Sequence, residues 1–492
     1  MDGIPEGAVT VVDDTELLRV LRSFNPWWTT GKVPEHLVPP VRRSVYYALA
    51  SRLSQRQWRR AFILEGPRRV GKTTLLYQLA ADILARGTLH PRRILYVSFD
   101  HPIAKLARLD QVARLFADVA GLSEAEPTES PAALWLLDEI QYTADWAAWL
   151  KWLVDQHPHF RIVATGSATV QLQVEGADPG VGRWAPVPVP PLSFFEYAAL
   201  RDLPLPRLDG MPRDFLWVRP PDRQAIVQLV EACRVLEPHF HRYLLLGGFP
   251  EIALLDDPGA LDLLRIDVVD RVLKRDMVAL FNVRNILQLE RLFVYLCLHT
   301  GEIVNRETLA RELGVTGPTV DNYLAAMQSA HLIHLLPNVD LGGKKLLRTR
   351  PKVYLAHPSL RSAVLMQGED ALMDTTTLGH LVETAVVTAT LHFAREAAPW
   401  AGYWRDPASG REVDLVLTLP QAAAVMEVKY QPDPVIRPGE GIAVYRRGDP
   451  SVGRWQITRR AEDAGPDPDL GLVRLPAFAY LYLLGWLLHH AA

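Results

Sequence analysis

Nine consecutive residues, Gly66-Pro67-Arg68-Arg69-Val70-Gly71-Lys72-Thr73-Thr74, carry two glycines, a lysine and a threonine at the spacing that grips the phosphates of a nucleoside triphosphate. Gly66 and Gly71 let the backbone fold closely around an anion; Pro67 shapes the turn without a donor, and the amides from Arg68 to Thr74 line it and the first turn of the helix after it. Lys72 supplies a mobile positive charge, and the Thr73 hydroxyl is suited to a magnesium ion bridging the outer phosphates. The apolar run Ala61 to Leu64 precedes the loop and Leu75 to Ala81 follows it, so strand, loop and helix come in the required order. The pattern predicts binding of ATP or GTP with Mg2+.

A second element specifies what is done with the nucleotide. Leu134-Trp135-Leu136-Leu137-Asp138-Glu139 is an apolar run ending in two acids, as expected of a buried parallel strand delivering carboxylates to its far edge. Asp138 would hold magnesium through water, and Glu139 is the candidate general base for the attacking water. Hydrolysis is the expected reaction. Arg93 to Asp100 and Arg161 to Ser167 read as two further core strands, the latter ending in hydroxyls. Thr165 or Ser167 sits where a polar residue could sense the terminal phosphate, and the expectation is placed on Ser167.

A separate set of chemically loaded residues lies near the carboxy terminus. Glu383 falls in the helical run Gly379 to Val387, Asp414 on the strand-like run Glu412 to Leu417, and Glu427 and Lys429 on the next, Ala424 to Lys429. Side chains alternate along a strand, so Glu427 and Lys429 share a face and Asp414 can meet them across the hairpin. Three carboxylates make an oxygen-rich site for Mg2+ or Mn2+ able to activate water at a phosphodiester, with Lys429 positioning the nucleophile or stabilising charge. An isolated Glu-x-Lys is more commonly a cross-strand ion pair, and the ordered set of four carries the reading.

Between these sites Asn305 to Val320 reads as two short helices joined by a tight turn at Gly314, a helix-turn-helix. Thr319 and Asn322 lie on its second helix and are candidate DNA contacts. Lys344, Lys345, Arg348, Arg350 and Lys352 concentrate positive charge in the following segment, a candidate wing contacting phosphates. The second helix itself carries Asp321 and no lysine or arginine between Thr316 and His331, which weighs against strong base-specific reading.

Strands alternating with helical stretches imply an α/β class with a doubly wound P-loop domain, and 492 residues exceed one ordinary core. The segments read as an N-terminal stretch 1–44, a P-loop ATPase 45–200, a helical linker or lid 201–285 opening on five prolines, a winged helix-turn-helix 286–357, and a terminal α/β domain 358–492. A net charge of −3 leaves nucleic-acid binding to local patches. Cys233 and Cys297 fit neither a disulfide framework nor a zinc module, and the longest apolar run, Leu475 to Leu488, is too short to span a bilayer comfortably. The expectation is a cytoplasmic protein without membrane segments.

GPRRVGKTTLL, LWLLDEIQ, RIVATGSA and VPPLSFFEY together resemble the AAA-type ATPase domain of a widespread bacterial and archaeal family. The resemblance implies ATP as the nucleotide and a homo-oligomer, with a hexameric ring among the assemblies. In such ATPases an arginine from a neighbouring subunit often completes the site, and Gly182-Arg183-Trp184 resembles the family's Gly-Arg pair, making Arg183 the arginine-finger candidate. Gly247 to Glu251 and the stretch with Arg271, Lys274, Arg275 and Asp276 extend the resemblance. Asp414, Glu427 and Lys429, with Glu383 as the helical acid, resemble the PD-(D/E)xK nuclease constellation, a restriction-endonuclease-like domain that the same family joins to its ATPase. The implied function is ATP-dependent processing of duplex or branched DNA, four-way junctions included, with metal-dependent cleavage. The alternative is an ATP-controlled switch binding DNA or protein, in signalling, defence or a toxin-linked system, whose nuclease-like domain is a non-cleaving scaffold.

Overall fold

The computed structural model describes residues 12–55, 59–122, 132–166, 182–208, 210–217, 222–257, 259–278, 283, 285–339, 350–398 and 400–490. Compactness divides the chain into two units, Met1–Gly66 with Gly71–Val189, and Pro67–Val70 with Pro190–Ala491.

The first unit is built on five strands, β1 (Ala61–Glu65), β2 (Ile94–Ser98), β3 (Ala133–Asp138), β4 (Phe160–Gly166) and β5 (Trp184–Pro188), in the order β2-β3-β4-β1-β5. Every neighbouring pair is parallel. Helices Lys72–Ala85, Leu109–Ala120 and Trp146–Gln156 make crossovers between successive strands. β1 and β3 are buried along their whole length, which is why their sequences are unbroken apolar runs rather than alternating ones. Helix Leu109–Ala120 instead buries one stripe, Leu109, Val112, Leu115 and Phe116, and stops at Gly121 in the left-handed region.

β2 is the sheet edge, and the segment before β1 covers it. The Asn25 amide donates to the Tyr96 carbonyl at 2.8 Å and its oxygen accepts from the Tyr96 amide at 2.6 Å. The Trp27 and Trp28 indoles donate to the Ile94 carbonyl at 3.0 and 2.8 Å. Side chains thus satisfy ladder groups that an exposed edge would offer to another chain.

The second unit contains a helix-turn-helix with a small sheet. Helix Arg306–Leu313 ends at Gly314, whose φ of 65° makes the turn, and Thr316 caps helix Gly317–Ser329 with Pro318 in its first turn. Leu309, Ala310, Val320 and Leu324 are buried between the two helices and their surroundings. Strands β6 (Glu302–Ile303), β7 (Ile333–Leu336) and β8 (Lys352–Leu355) form an antiparallel sheet in the order β6-β8-β7.

The remainder is a six-stranded mixed sheet of β9 (Trp400–Arg405), β10 (Glu412–Thr418), β11 (Ala423–Val428), β12 (Val452–Thr458), β13 (Gly465–Asp467) and β14 (Leu472–Pro476), ordered β13-β14-β12-β11-β10-β9. β9, β10 and β11 run antiparallel, and β11, β12 and β14 run parallel. Helices Thr375–Ala394 and Ala477–His490 share one apolar core with this sheet, joined by a 2.8 Å hydrogen bond between Thr390 and Tyr480. The terminal helix is buried from Ala477 to Leu487, and each fully buried leucine there contributes about 1.5–3 kcal/mol. Among the described residues no helix is long and apolar enough to cross a membrane.

Candidate nucleotide site and terminal acid cluster

The loop after β1 is shaped by its glycines. A Cβ on Gly66 would lie 2.1 Å from the Val189 carbonyl oxygen, and Gly71, at φ 93°, turns the chain into helix Lys72–Ala85. That turn points helix amides at whatever anion occupies the loop. The Lys72 ammonium folds back to the Gly66 carbonyl at 2.8 Å.

Three hydroxyls converge on Asp138 at the end of β3. Thr73 and Tyr96 donate to Oδ2, each at 2.9 Å, and Thr165 donates to Oδ1 at 2.5 Å. Thr165 also accepts the Glu139 amide at 2.9 Å, so β4, lying between β1 and β3, is bonded to both acids. Burial pushes the Asp138 carboxyl up from its ordinary range and Glu139 adds to the rise, while the Thr165, Thr73 and Tyr96 hydroxyls oppose it. Glu139 has φ 54° and ψ 48°, a left-handed conformation costing a non-glycine residue about 1 kcal/mol or more. Its carboxylate accepts a short hydrogen bond from the Gln141 amide. A hydroxyl and a buried carboxylate side by side are the oxygen donors magnesium prefers, so Thr73 and Asp138 suit that ion.

The rest of the expected nucleotide set is placed as follows. Pro67–Val70 belongs to the second unit, where Arg68 forms a bidentate pair with Asp276 at 2.7 and 2.8 Å and Arg69 pairs with Glu251 and Asp267. Thr74 lies in the first turn of the loop helix. Ser167 lies outside the described residues; Thr165, the other hydroxyl considered, is the one on Asp138. Arg183 pairs with Asp155 at 3.0 Å, and its carbonyl accepts from the amide of Ala61, the first residue of β1. It therefore stands a strand length, about 16 Å, from the phosphate-loop end of the same sheet.

Residues 58–198 match the family model of an AAA domain. The chain carries an AAA-type P-loop ATPase domain. Residues 237–371 match a second model, a domain of unknown function (DUF8612). The uncharacterized protein MJ1637 of Methanocaldococcus jannaschii is 26% identical over 362 residues, covering 73% of this chain and 72% of its own. An uncharacterized protein of Haemophilus influenzae is 25% identical over 307 residues, covering 61% and 68%. Among solved structures, the Thermotoga maritima RuvB Holliday junction branch migration motor overlaps 62% of this chain and 92% of its own at 16% identity and a TM-score of 0.26. The Aeropyrum pernix ORC2 protein overlaps 68% and 96% at 15% identity and a TM-score of 0.33. Likeness at that level assigns no function. The AAA family implies a bound nucleotide with Mg2+, for which Lys72, Thr73 and Asp138 of the ATPase domain are suited.

The carboxy-terminal acids also come together, around a residue expected elsewhere. Register pairs Leu415 with Met426, and one further step sets Asp414 opposite Glu427. Asp414 Oδ2 accepts the Val428 amide at 3.0 Å. Glu383, on helix Thr375–Ala394, faces Gly301, where a Cβ would approach its Oε1 to 3.2 Å. In the middle stands the Lys352 ammonium, 2.8 Å from Asp414, 2.9 Å from Glu412 and 3.1 Å from Glu383. Tyr354 donates to the same Glu383 oxygen at 2.7 Å.

Burial raises the Glu383 carboxyl to about 7, with Asp414 adding to the rise and Lys352 opposing it. Burial and Asp414 likewise lift Glu427 well above the carboxylate range. Burial alone would pull the Lys352 ammonium down, but Asp414 and Glu383 outweigh it and hold it well above the ordinary lysine range. Glu427 Oε2 is buried without a hydrogen-bond partner among the described residues, and Lys429 is tied to Glu440 by a short ion pair.

Lys352 is thus a correction to the basic wing. It is 3% exposed and pairs with three carboxylates, so it is not a surface phosphate contact. Its strand is buried at all four positions, and the apolar residues that follow it in Lys352-Val353-Tyr354-Leu355 are the signal that could have marked it out. Arg350 is exposed, and Lys344, Lys345 and Arg348 lie outside the described residues. Asn322 is exposed, Thr319 bonds the Thr316 hydroxyl at 2.8 Å, and Asp321 pairs with Arg306 at 2.8 Å.

The acid cluster does not fit a divalent ion as it stands. One oxygen of each of Asp414, Glu412 and Glu383 lies on a single ammonium, which occupies the space between them. Among the described residues there is no group of three or more histidine, cysteine, aspartate or glutamate side chains arranged to hold a metal.

Proposed function

We propose that the protein hydrolyses ATP and uses the cycle to control action on DNA by its second unit, which combines a winged helix-turn-helix with a PD-(D/E)xK-type, restriction-endonuclease-like domain. The observation that carries the hydrolytic half is the junction of Thr73, Tyr96 and Thr165 on Asp138 beside Glu139. The loop amides and Lys72 bind the phosphates, and Thr73 and Asp138 hold the Mg2+ that neutralises charge on them. Glu139 orients the attacking water and takes its proton. Ser167 senses the terminal phosphate, and Arg183 acts in trans. Its place at the opposite end of the strands from its own loop supports that role in a homo-oligomer, a hexameric ring being one such assembly.

DNA is the proposed partner because a helix-turn-helix is followed by a basic segment, with Thr319, Asn322, Lys344, Lys345, Arg348 and Arg350 as contacts; branched and four-way forms are among the candidate substrates. The terminal domain admits two versions. In one, Glu383, Asp414, Glu427 and Lys429 cleave DNA with Mg2+ or Mn2+. In the other, it is a non-cleaving scaffold for DNA or protein binding under ATP control. The Lys352 ammonium among its carboxylates and the engagement of Lys429 by Glu440 favour the second.

Profiling on linear, forked and four-way DNA and on RNA, with and without ATP and with Mg2+ or Mn2+, separates them. The favoured version gives ATP turnover and DNA binding without cutting. Metal-dependent cutting lost in Glu427→Ala and Lys429→Ala, with ATP hydrolysis retained, would establish the first.

A further inference from the structure

We propose that the Lys352 ammonium is the built-in cation of the terminal acid cluster, standing where a divalent ion would otherwise be held and keeping the native cluster free of metal. The inference concerns the terminal domain alone and stands whether or not the protein acts on DNA.

The cluster is constructed around this one charge. The Lys352 side chain is 4% exposed, so its ammonium has given up water and depends on Asp414 at 2.8 Å, Glu412 at 2.9 Å and Glu383 at 3.1 Å. An unpaired ammonium in that position would be strongly disfavoured, and so would the carboxylates left without it. Two neighbouring groups add hydrogen bonds: Tyr354 donates to the same Glu383 oxygen, and the Val428 amide to Asp414 Oδ2. Gly301 leaves just enough room for the Glu383 carboxylate. Lys352 is fixed as the first residue of β8, which pairs on both sides with β6 and β7, so its stem enters from a strand held at both edges.

Manganese or magnesium needs the same oxygens at about 2.0–2.2 Å and cannot share them with an ammonium, because two cations would then be in contact. Metal entry therefore requires Lys352 to leave. Without the ammonium, Asp414, Glu412 and Glu383 have to close in from ammonium to metal distance, and their oxygens are then donors of the kind Mn2+ accepts, with the Oε2 of Glu427, which has no hydrogen-bond partner among the described residues, on the neighbouring strand.

Mn2+ titrations of the full-length, nucleotide-free chain, followed by electron paramagnetic resonance, test this with variants paired to isolate the cluster from the P-loop. Wild type and Asp414→Asn should bind Mn2+ alike. Lys352→Met should gain one site, at least about tenfold tighter than anything Asp414→Asn removes from wild type. That site should vanish in Lys352→Met/Asp414→Asn and be absent from Lys352→Arg. If Lys352→Met is unfolded without metal, Mn2+-dependent refolding that the double variant lacks reports the same site. A wild-type Mn2+ site abolished by Asp414→Asn overturns the proposal, as does a Lys352→Met chain, folded or not, on which Mn2+ has no effect.

Discussion

The Thr73 hydroxyl lies 2.9 Å from Oδ2 of Asp138, joining the first turn of the phosphate-loop helix to the end of β3 across the intervening β4. Parallel strand order brings together two residues 65 positions apart, and their hydrogen bond makes loop and acid one unit. Removing either partner should disable the site without unfolding the sheet. Thr73→Ala and Asp138→Asn are expected to lower steady-state ATP turnover by about a hundredfold or more, and Lys72→Ala to abolish binding of a fluorescent ATP analogue. Near-native turnover in Thr73→Ala would show that the hydroxyl only braces the helix turn.

The two lysines of the terminal domain should behave differently. The Lys352 side chain is 4% exposed and holds three carboxylates, so Lys352→Ala should cost about 3–5 kcal/mol in urea unfolding. Lys429 is 20% exposed with one partner, Glu440, and Lys429→Ala should cost about 1 kcal/mol or less. Equal losses would remove Lys352 from its central place.

Acid should destabilise the second unit through His357. Its ring is buried, with Nδ1 2.8 Å from the Ser359 hydroxyl and Nε2 without a partner among the described residues, and burial lowers its pKa to about 3. Because the folded value lies below the unfolded value of about 6.5, its stabilising contribution is complete above that pH. It is lost as the pH falls toward 3, by about 1.4 kcal/mol per pH unit. His334, lowered to about 4 by burial and Arg395, acts in the same direction. Unfolding free energies at pH 7 and pH 5 should differ less in His357→Leu than in wild type, and an unchanged difference would mean that the ring is protonated in the folded state.

If the basic segment meets DNA, its contribution is electrostatic and additive. Replacing Lys344, Lys345, Arg348 and Arg350 with glutamine should weaken binding on all sequences alike and flatten the log–log salt dependence by about 0.9 for each phosphate no longer neutralised. Fluorescence anisotropy at several salt concentrations reads both. Lys352 is left out because it is buried, and a slope unchanged by the four substitutions would move the DNA-binding surface elsewhere.

Local signals made much of this legible in sequence. The phosphate loop and the strand ending in Asp138 and Glu139 are contiguous motifs whose flanking apolar runs state their context. Asp414 and Glu427 follow from strand alternation, and Gly314 announces the helix turn. What escaped depends on long-range pairing. Tyr96 and Thr165 reach Asp138 only through the strand order β2-β3-β4, and Asn25, Trp27 and Trp28 cover an edge that no local pattern identifies. Lys352 read as one more charge in a basic run, whereas pairing of β8 with β6 and β7 carries it inside, 2.8 Å from an aspartate 62 residues away.

In the proposed mechanism Glu139 activates the water that cleaves ATP, and phosphate release by wild type and Glu139→Gln in the presence of Mg2+ puts that role to the test. Glu139→Gln should bind ATP as tightly as wild type while its turnover falls about a hundredfold or more. Undiminished phosphate release from Glu139→Gln would refute the assignment.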